Sequence, residues 1–357
     1  MKLIFFIMAL SGMINLSFAQ TADTFKIFQF PHDQIPRIDG NTGDWSMVPK
    51  NYFIGTEYLT DDEKIHNNPD SSNLDINVCV GWVKGMNRLY FLYEACDNYW
   101  DFSRNDLRQD IFEVVVDGDR SRGPFIEQFH PDKDNLDRWD LFFNFHGVHA
   151  QNYHIFTPPK DKDWCMLWGS QQWLKELPYA NSAYSYEFNP GEPGKLVLEF
   201  WITPFDSAFC EGPSSSNESV LIENKLIGIS WAVIDFDNVN SDTNNGFWNL
   251  SDEHTMYGNA SYLRTFRLMP MEKMYREKIK ADWSFEVIDM DHKRVAFKDC
   301  SEGEIFSWEW DFGDGTSSKE QNPVHIYKKA GLYIVTLFIE GPDGQSKMAK
   351  VWDVAVR

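Results

Sequence analysis

Positive charge is scarce in this 357-residue sequence. Lys and Arg number 33 against 54 Asp and Glu, which gives a formal net charge of −21. No basic patch stands out that could anchor phosphates, so a nucleic acid or an anionic membrane would be repelled. After the first twenty residues, no hydrophobic run reaches the length of a membrane span. These absences predict a soluble mature protein, and the acidity favours a neutral ligand over an anionic one.

Cysteine is also scarce, and its count is odd. Residues 78–96 are predicted to form a hairpin that turns near Gly85-Met86, a register that sets Cys79 opposite roughly Leu92 rather than Cys96. We therefore expect mostly buried free thiols rather than a disulfide framework. The five cysteines are Cys79, Cys96, Cys165, Cys210 and Cys300, and they include no Cys-x-x-Cys pair.

The usual catalytic motifs are absent. The sequence has no nucleophile elbow, no phosphate-binding loop and no recognisable triad. Paired carboxylates remain as acid and base candidates, either Glu113 with Glu199 or Asp235 with Asp237. Asp235 and Asp237 share one face of a predicted strand end, but the same Asp-Phe-Asp sequence is equally typical of a turn. A hydrolase or lyase therefore stays an alternative to a non-catalytic protein.

The features that are present begin with a predicted signal peptide at residues 1–20. Lys2 supplies the positive charge, Leu3 to Leu10 the apolar segment, and Ser17-Phe18-Ala19 a small-x-small cleavage site. No Cys lies near that site, which disfavours a lipid anchor. We expect an exported protein, either periplasmic or secreted.

Strand patterns dominate the rest of the chain. Hydrophobic residues make up 43% of the sequence and aromatic residues 16%, enough for sizeable cores. Short apolar or alternating segments such as 76–82 and 111–116 predict strands. We predict an all-β protein in which the small domain forms a β-sandwich. Its parts are a larger domain at 21–270, a charged linker with some helical periodicity at 271–280, and a small domain at 281–357.

Short strands and tight turns characterise the small domain. The stretch WEWDFGDGT, Trp308 to Thr316, contains the Asp-Phe-Gly of protein kinases, but a kinase's glycine-rich loop, strand lysine and catalytic loop are absent. Together with Asn322-Pro323, His325-x-Tyr327 and Gly331-x-Tyr333-x-Val335-Thr336, it resembles the PKD domain over about 281–357. The resemblance implies an immunoglobulin-like sandwich that acts as a spacer or adhesive module. Asp311 and Asp314 are then expected to close the turn by accepting backbone N–H groups.

Several blocks of the larger domain, taken in order, resemble the family 9 carbohydrate-binding module over roughly 30–270. The resemblance implies a β-sandwich, in which residues 120–185 form an insertion that is longer than the family pattern. The blocks are Ile38-Asp39-Gly40 with Asp44-Trp45, Leu89-Tyr90-Phe91 with Asp97, Asp110-x-x-Glu113-Val114 to Asp117, Leu198-Glu199 to Thr203-Pro204, and Phe266-Arg267-Leu268.

The same resemblance implies a sugar site, where two aromatic rings clamp a terminal sugar while carboxylate and amide groups bond its hydroxyls. Glu113 occupies the carboxylate position, and Tyr257 lies near the second clamp position. Leu107 stands where the first clamp ring is expected, so Trp100, close by in sequence, is the candidate replacement. His254 falls near the amide position. Strand-edge structure is the alternative interpretation of Glu113.

The insertion is dense in aromatic residues that lie beside amides. This composition is typical of a glycan site, so Trp164, Trp168 and Trp173 are carbohydrate-binding candidates. The alternative is that these rings cover an open end of the sandwich. The other residues concerned are Tyr153, Tyr179, Tyr184, Tyr186, Asn152, Gln171 and Gln172. Three histidines, His146, His149 and His154, match no zinc spacing and are expected to be structural.

A structural calcium ion is implied by the resemblance, because family members often carry one. Asp97, Asp117 and Asp119 lie at predicted strand ends and offer oxygen ligands. A solvated acidic turn is the alternative for each of them. No cofactor is required by any other feature of the sequence.

From the sequence alone we expect an exported, non-catalytic glycan-binding protein. It would hold a polysaccharide or oligosaccharide by aromatic stacking and by carboxylate or amide hydrogen bonds, with the PKD-like domain as spacer. A polysaccharide-active hydrolase or lyase is the first alternative. A structural or adhesive surface protein, whose aromatic residues contact protein partners at the cell surface, is the second. A haem-binding relative of the sandwich is a further alternative, which the colour of the purified protein would test.

Overall fold

The structure is a computed structural model that describes residues 24–66, 69–104, 106–159, 162–251, 253, 258–276 and 278–356, without the side chains of residues 143, 144 and 351–355. The chain divides into two compact units, Met1–Pro270 and Met271–Arg357. The predicted signal peptide lies outside the described residues.

The described part of the larger unit is built mainly of strands. They are β1 (Phe25–Gln29), β2 (Phe53–Gly55), β3 (Thr60–Asp61), β4 (Leu74–Trp82), β5 (Leu89–Asp97), β6 (Ile111–Asp117), β7 (Gln151–Ile155), β8 (Cys165–Leu167), β9 (Ala180–Glu187), β10 (Gly194–Ile202), β11 (Phe205–Ser207), β12 (Asn217–Glu218), β13 (Leu226–Asp235), β14 (Gly246–Asn249) and β15 (Arg264–Leu268). Two short helices, α1 (Phe125–Phe129) and α2 (Arg138–Phe145), lie within the predicted insertion. Short 3-10 helices occur at Thr42–Met47, Lys50–Tyr52, Thr56–Tyr58, Gln172–Lys175, Pro213–Ser215 and Ala260–Tyr262.

The ten principal strands form two layers that strand β1 connects. Their order is β8-β7-β6-β13-β15-β1-β4-β5-β10-β9. Residues 25–27 of β1 pair in parallel with β15, whereas residues 28–29 pair in parallel with β4. We call β8-β7-β6-β13-β15 the first sheet and β4-β5-β10-β9 the second sheet. The predicted all-β fold is confirmed.

Alternate residues of the two sheets pack into one hydrophobic core. Phe112 of the first sheet lies 4.1 Å from Tyr93 of the second, ring centroid to ring centroid. Phe91 stacks on Phe200 at 4.7 Å, and Trp231 is fully buried in the same core. Burying each such side chain stabilises the fold by about 1.5–3 kcal/mol. The core therefore fixes which face of each strand points inward.

Helices α1 and α2 cover the outer face of the first sheet. Phe125 of α1 and Phe145 of α2 pack with Val115 and Ala232, which point away from the core. Asp137 caps α2 by accepting the backbone N–H of Trp139 at 2.8 Å. The sequence did not predict α2, because its eight residues, RWDLFFNF, make only about two turns and carry no clear apolar stripe.

The charged stretch 271–280 is not an α-helix in the described residues. Its helical element there is the 3-10 turn Lys273–Tyr275. The spacing of charges over ten residues is too short a pattern to specify a stable helix without a partner surface.

The smaller unit is a second β-sandwich. Its strands are β16 (Trp283–Asp289), β17 (Arg294–Asp299), β18 (Ser307–Asp311), β19 (Ser317–Ser318), β20 (Val324–Ile326), β21 (Gly331–Gly341) and β22 (Gly344–Val356). They form the sheets β16-β17-β20 and β19-β18-β21-β22. Trp283, Phe297, Trp310 and Tyr327 are buried between them. A compact aromatic core therefore holds a unit of fewer than ninety residues together.

The turn after β18 is structural, as predicted. Asp311 Oδ1 accepts the N–H of Gly313 at 2.9 Å, and Asp314 Oδ1 accepts the N–H of Thr316 at 3.0 Å. Although partial burial opposes it, the pKa of Asp314 is lowered by the hydrogen bonds from Thr316 and by His325, whose Nε2 lies 2.8 Å from Asp314 Oδ2. Both carboxylates are thus used within the turn.

The cysteines are free, but they are not mostly buried. Cys79 pairs with Leu92 across the β4–β5 ladder, which confirms the predicted register. Cys79 and Cys165 are buried, whereas Cys96, Cys210 and Cys300 are exposed. The expectation of mostly buried thiols was wrong because the side chain of Cys96 falls on the solvent side of β5 and the last two lie outside strand cores.

We predict that Cys79 and Cys165 resist thiol reagents in the native protein at pH 8. Both are buried, and burial raises the pKa of each thiol. Titration with Ellman's reagent should detect the three exposed thiols in the native chain and all five after denaturation. A total below five in denaturant without reductant would reveal a disulfide and contradict the structure.

A second prediction concerns Gly313 in the turn after β18. Gly313 has φ +75°, and a Cβ there would lie 2.4 Å from Ile334 O; Gly315 has φ +85° and open space around it. Gly315→Ala should cost about 1–2 kcal/mol from left-handed backbone strain alone. Gly313→Ala should cost more, because the contact adds to the strain. Chemical denaturation of the full chain compares them, and equal losses would show that the contact is unimportant.

Candidate functional site

Four side chains of the first sheet converge on its outer face. Glu113 of β6 pairs with His154 of β7, and Asn152 lies two residues earlier on β7. Because side chains alternate along a strand, these three point away from the core that Phe112, Val114 and Tyr153 line. Trp168 directly follows β8, the next strand. We call Glu113, Asn152, His154 and Trp168 the outer-face cluster.

Hydrogen bonds and ring contacts connect the outer-face cluster. Asn152 Nδ2 donates to Glu113 Oε1 at 2.8 Å, and His154 Nε2 lies 3.7 Å from Glu113 Oε2. The rings of His154 and Trp168 are 5.6 Å apart, and the backbone N–H of Trp168 donates to Asn152 O at 3.0 Å. Glu113 is 1% exposed, whereas Trp168 is half-buried. The indole is therefore the part of the cluster that solvent reaches.

The end of α2 closes one side of the outer-face cluster. His146 caps α2, and its ring lies 6.3 Å from that of Trp168. Burial, with a smaller contribution from His154, lowers the pKa of His146 to about 3, so this imidazole is neutral at physiological pH. A Cβ on Gly169 would lie 2.4 Å from His146 O, which shows how closely the Trp168–Gly169 turn packs on the helix end.

One buried polar atom of the cluster has no hydrogen-bond partner. Asn152 Oδ1 is inaccessible to solvent and accepts no hydrogen bond, although its Nδ2 is used by Glu113. An unpartnered buried acceptor costs about 1–3 kcal/mol. The cluster therefore offers an acceptor, a carboxylate and an aromatic surface within a few ångströms of each other.

The other predicted tryptophans serve packing. Trp100 is only 2% exposed, donates through Nε1 to Gly194 O at 2.9 Å, and stacks on Phe102 and Phe188. Its ring is inaccessible to a sugar, so Trp100 does not replace the missing clamp at Leu107. Leu107 itself packs against a cluster of buried apolar residues that includes Ile111, the first residue of β6.

Trp164 and Trp173 close the sandwich rather than line the outer-face cluster. Both pack against the main core. Trp164 Nε1 donates to Lys175 O at 3.2 Å, and Trp173 Nε1 donates to Phe209 O at 2.9 Å. For these two rings the structure thus supports the alternative interpretation, in which they cover an open end of the sandwich. Tyr257 and His254 lie outside the described residues.

Sequence reasoning gave no separate role to two exposed tyrosines. Tyr184 and Tyr186 on β9, at one edge of the second sheet, are 38% and 48% exposed, and their rings are 6.2 Å apart and nearly parallel. Phe188 continues the row, with its ring 4.7 Å from that of Tyr186. The alternating pattern Tyr-Ser-Tyr-Glu-Phe is the signal that could have identified this row.

The predicted metal ligands fall into two separate places. Asp97 lies with Asp110 and Asp235 at one end of the sandwich. Asp117 and Asp119 lie at the far end of β6, where Asp117 accepts the N–H groups of Ser121 and Arg122. Seven strand residues separate the two places by about 20 Å. The three residues predicted as ligands cannot share one ion.

Asp97, Asp110 and Asp235 form what we call the acidic cluster. One carboxylate oxygen from each lies within 4.8 Å of the others, and all three residues are buried. Burial raises the pKa of Asp97 to about 7 and that of Asp235 to about 8, and it raises the pKa of Asp110 as well; the neighbouring negative charges add to each rise. Burial and mutual repulsion together disfavour the state in which all three carboxylates are charged without a counter-ion.

Glu199 is a structural anchor and not a catalytic partner of Glu113. Its Oε2 accepts the backbone N–H groups of Asp39, Gly40 and Asn41 at 3.3, 2.7 and 3.0 Å, and its Oε1 accepts Trp45 Nε1 at 2.8 Å. Glu113 and Glu199 point from opposite outer faces of the sandwich, since their strand neighbours fill the core between them. No acid–base pair is formed by these two residues.

Residues 286–356 match the family model described as PKD domain. Collagenase ColQ1 from Bacillus cereus (strain Q1) is 43% identical over 49 residues, which are 14% of this chain and 5% of that protein. Pre-pro-metalloprotease PrtV from Vibrio cholerae is 48% identical over 46 residues, 13% of this chain and again 5% of that protein. The smaller unit thus contains a PKD domain, as predicted, and the chain spans only a small part of the curated relatives it matches.

Two solved structures are similar to the two units. The PKD1 domain of Vibrio anguillarum Epp is 26% identical and covers 23% of this chain and 99% of that chain, with a TM-score of 0.21. A family 9 carbohydrate-binding module from Caldicellulosiruptor kristjanssonii, in complex with cellotriose, is 13% identical and covers 70% of this chain and 95% of that chain, with a TM-score of 0.43. The resemblance predicted for the larger unit thus has a counterpart among solved structures. At this identity and TM-score, the ligand of that structure is not inferred for this chain.

The helices of the described residues are all too short or too polar to cross a lipid bilayer. The longest α-helix described in the larger unit is α2, with eight residues.

We predict that Glu199→Gln destabilises the larger unit by about 2–4 kcal/mol. The amide replaces one acceptor oxygen by a donor, which leaves buried N–H groups without an acceptor and removes charge-assisted bonds worth about 1.5–3 kcal/mol each. Chemical denaturation measures the free energy of unfolding.

Glu94→Gln is the matched control for Glu199→Gln. Glu94 lies on the neighbouring strand β5 and pairs with Lys195 at 2.7 Å on a partly exposed surface. Loss of this ion pair should lower the free energy of unfolding by less than about 1 kcal/mol. Similar losses for the two variants would contradict the anchoring role of Glu199.

Proposed function

We propose that this protein is an exported, non-catalytic glycan-binding protein whose larger unit binds carbohydrate at the outer-face cluster. The observation that carries this proposal is the convergence of a carboxylate, an amide with a free acceptor, an imidazole and a half-buried indole on one face of the first sheet. The smaller unit, with its PKD domain, serves as a spacer or adhesive module.

Trp168 provides the apolar part of the site. A sugar ring presents C–H groups on one face, and these groups pack on the electron-rich face of an indole. Packing against α2 and the backbone bond to Asn152 hold this indole in place, so little conformational entropy is lost when a ligand binds.

Glu113 and Asn152 lie beneath the indole, and each is 1% exposed. At that burial they position the indole: Asn152 O accepts the backbone N–H of Trp168, and Glu113 Oε1 accepts Asn152 Nδ2. The formal net charge of −21 favours a neutral glycan over an anionic one.

Export is supported by the predicted signal peptide at residues 1–20. A non-catalytic role is supported by the separation of Glu113 from Glu199 and by the use of Glu199 as an anchor. An enzyme would have to use other carboxylates, such as Asp237 beside the polar pocket that Asn73, Asn245 and Trp248 line.

The test is a panel of neutral polysaccharides incubated with the purified chain, with retention and released products scored in the same wells. The unmodified chain should be retained on at least one neutral glycan without soluble products. Trp168→Ala should weaken binding at least about tenfold, since stacking and buried apolar area together exceed about 1.4 kcal/mol. Glu113→Gln should weaken it with the fold unchanged by circular dichroism.

Tyr58→Ala is the control, because Tyr58 is an exposed aromatic residue of the same unit that packs on Phe25, outside the outer-face cluster. It should bind as well as the unmodified chain. Retention that survives excess free sugar would favour protein adhesion over glycan binding. Products that disappear in Asp237→Asn would replace the proposal by the enzymatic alternative.

A further inference from the structure

Two arginines lie in the turn that follows β6, and both have a left-handed backbone conformation. The turn comprises residues 118–123, and Arg120 and Arg122 have φ angles of +58° and +60°. This conformation is unfavourable for a residue with a long side chain, because its Cβ crowds the backbone. Such strain persists only where the surrounding structure imposes it, and it is concentrated at sites that hold ligands.

Hydrogen bonds hold the turn in this conformation. Asp117 accepts the backbone N–H groups of Ser121 and Arg122 at 3.1 and 3.0 Å. Gly123 donates its N–H to Ser261 Oγ at 2.9 Å, in the 3-10 helix that precedes β15. The turn is therefore fastened at both ends, and the two arginine side chains extend from a fixed backbone.

Both arginines line one cavity of about 260 Å³. Arg120 Nη2 donates to Thr265 Oγ1 at 3.1 Å. Neither arginine forms an ion pair with any residue of the described ranges, although the chain contains 54 acidic residues. Burial lowers the pKa of Arg120 and the charge of Arg122 lowers it further, whereas Asp117 opposes the change. The two positive charges are therefore close together and lack a paired carboxylate.

Hydroxyl groups and one carboxylate add to the lining of this cavity. Ser261 and Tyr262 line it and are exposed. The Ser261 hydroxyl accepts a hydrogen bond from the turn, so its own proton remains to be donated. Asp117 also lines the cavity, but burial and the neighbouring Asp119 raise its pKa to about 7, so it carries only part of its charge at neutral pH.

We propose that Arg120 and Arg122 bind an oxyanion in this cavity, namely a carboxylate, sulfate or phosphate group carried by a small ligand. Guanidinium groups bind such groups through paired, charge-assisted hydrogen bonds. The hydroxyls of Ser261 and Tyr262 are further donors. A volume of about 260 Å³ is below the roughly 300–1,000 Å³ of sites for drug-sized ligands, so it fits the anionic group with a small attachment. The site is a local exception to the formal net charge of −21.

The test titrates the purified full chain with sulfate, phosphate or malonate at constant ionic strength and follows binding by isothermal titration calorimetry. Malonate is the carboxylate probe, and malonamide is its neutral counterpart. We expect saturable binding of at least one anion and none of malonamide. Binding of malonate alone would identify a carboxylate ligand, whereas binding of sulfate or phosphate would identify a tetrahedral oxyanion.

Two arginine variants separate loss of the site from loss of the fold. Arg120→Gln keeps the backbone strain and should weaken binding at least about tenfold, because it removes a charged donor. Arg122→Gly should also weaken binding at least about tenfold. Its unfolding midpoint without anion should stay at or above that of the parent chain, because Gly relieves the left-handed strain.

Lys64→Gly is the matched control. Lys64 is exposed, has a φ angle of +56° and follows β3, outside the cavity. This variant removes one positive charge and the same kind of strain, and it should keep full anion binding.

Three results would overturn the proposal. The first is absence of binding for all three anions in the parent chain. The second is equal binding of malonate and malonamide, which would show that charge is not recognised. The third is binding that both arginine variants keep or that Lys64→Gly removes, which would place the anion elsewhere. The probes contain no sugar, so these results are independent of the outer-face cluster.

Discussion

Strand β6 is buried on both of its faces, and the arrangement of the larger unit depends on that constraint. Its inner face places Phe112, Val114 and Val116 in the sandwich core. Its outer face is covered because α1, α2 and the turn at Trp168 fold over the first sheet. A charged residue on that outer face, Glu113, must then find its partners within the protein, because an unpaired buried carboxylate is very costly. Asn152 and His154 on the adjacent strand are those partners.

The same strand separates two acidic regions. Asp117 at its end lies in a turn whose backbone N–H groups point at the carboxylate, although burial and the neighbouring Asp119 still raise the pKa of Asp117 to about 7. Asp110 at its start faces carboxylates from two other strands. The difference arises from the surroundings of each end, since a turn concentrates N–H donors whereas the junction of two sheets brings together side chains of unrelated origin.

Local patterns in the sequence predicted the features that depend mainly on residues close together in the chain. The alternation along β4 and β5, with a turn near Gly85, specified the ladder that sets Cys79 opposite Leu92. The Asp and Gly residues after β18 specified their turn, because carboxylates that accept the N–H two residues ahead need no tertiary partner. The strand patterns were enough to predict an all-β protein and the small β-sandwich, and the resemblance of the larger domain to a known family implied the second β-sandwich.

Tertiary packing decided the rest. Trp100, Trp164, Trp168 and Trp173 are the same residue type, and only the path of the chain determines that three of them pack against the main core and one joins the outer-face cluster. Helix α2 was missed because it is held by the sheet beneath it rather than by its own periodicity. Asp97 and Asp235 are more than a hundred residues apart in sequence, so no spacing rule could have paired them.

Two buried carboxylate sites of the larger unit show why residue type and burial alone do not define a role. Glu199 receives three backbone N–H groups and one indole N–H, so its single charge is spread over four donors. The three residues of the acidic cluster have four donors between them. These are the backbone N–H groups of Tyr99, Asp101 and Phe236 and the side-chain amide of Asn73. The three carboxylates also face one another. In a buried site, the repulsion between like charges a few ångströms apart exceeds the stabilisation that these four hydrogen-bond donors provide. Glu199 fastens a loop to the second sheet, and its four donors offset part of the rise in pKa that burial causes. In the acidic cluster, burial and the neighbouring negative charges both raise the pKa of the carboxyls.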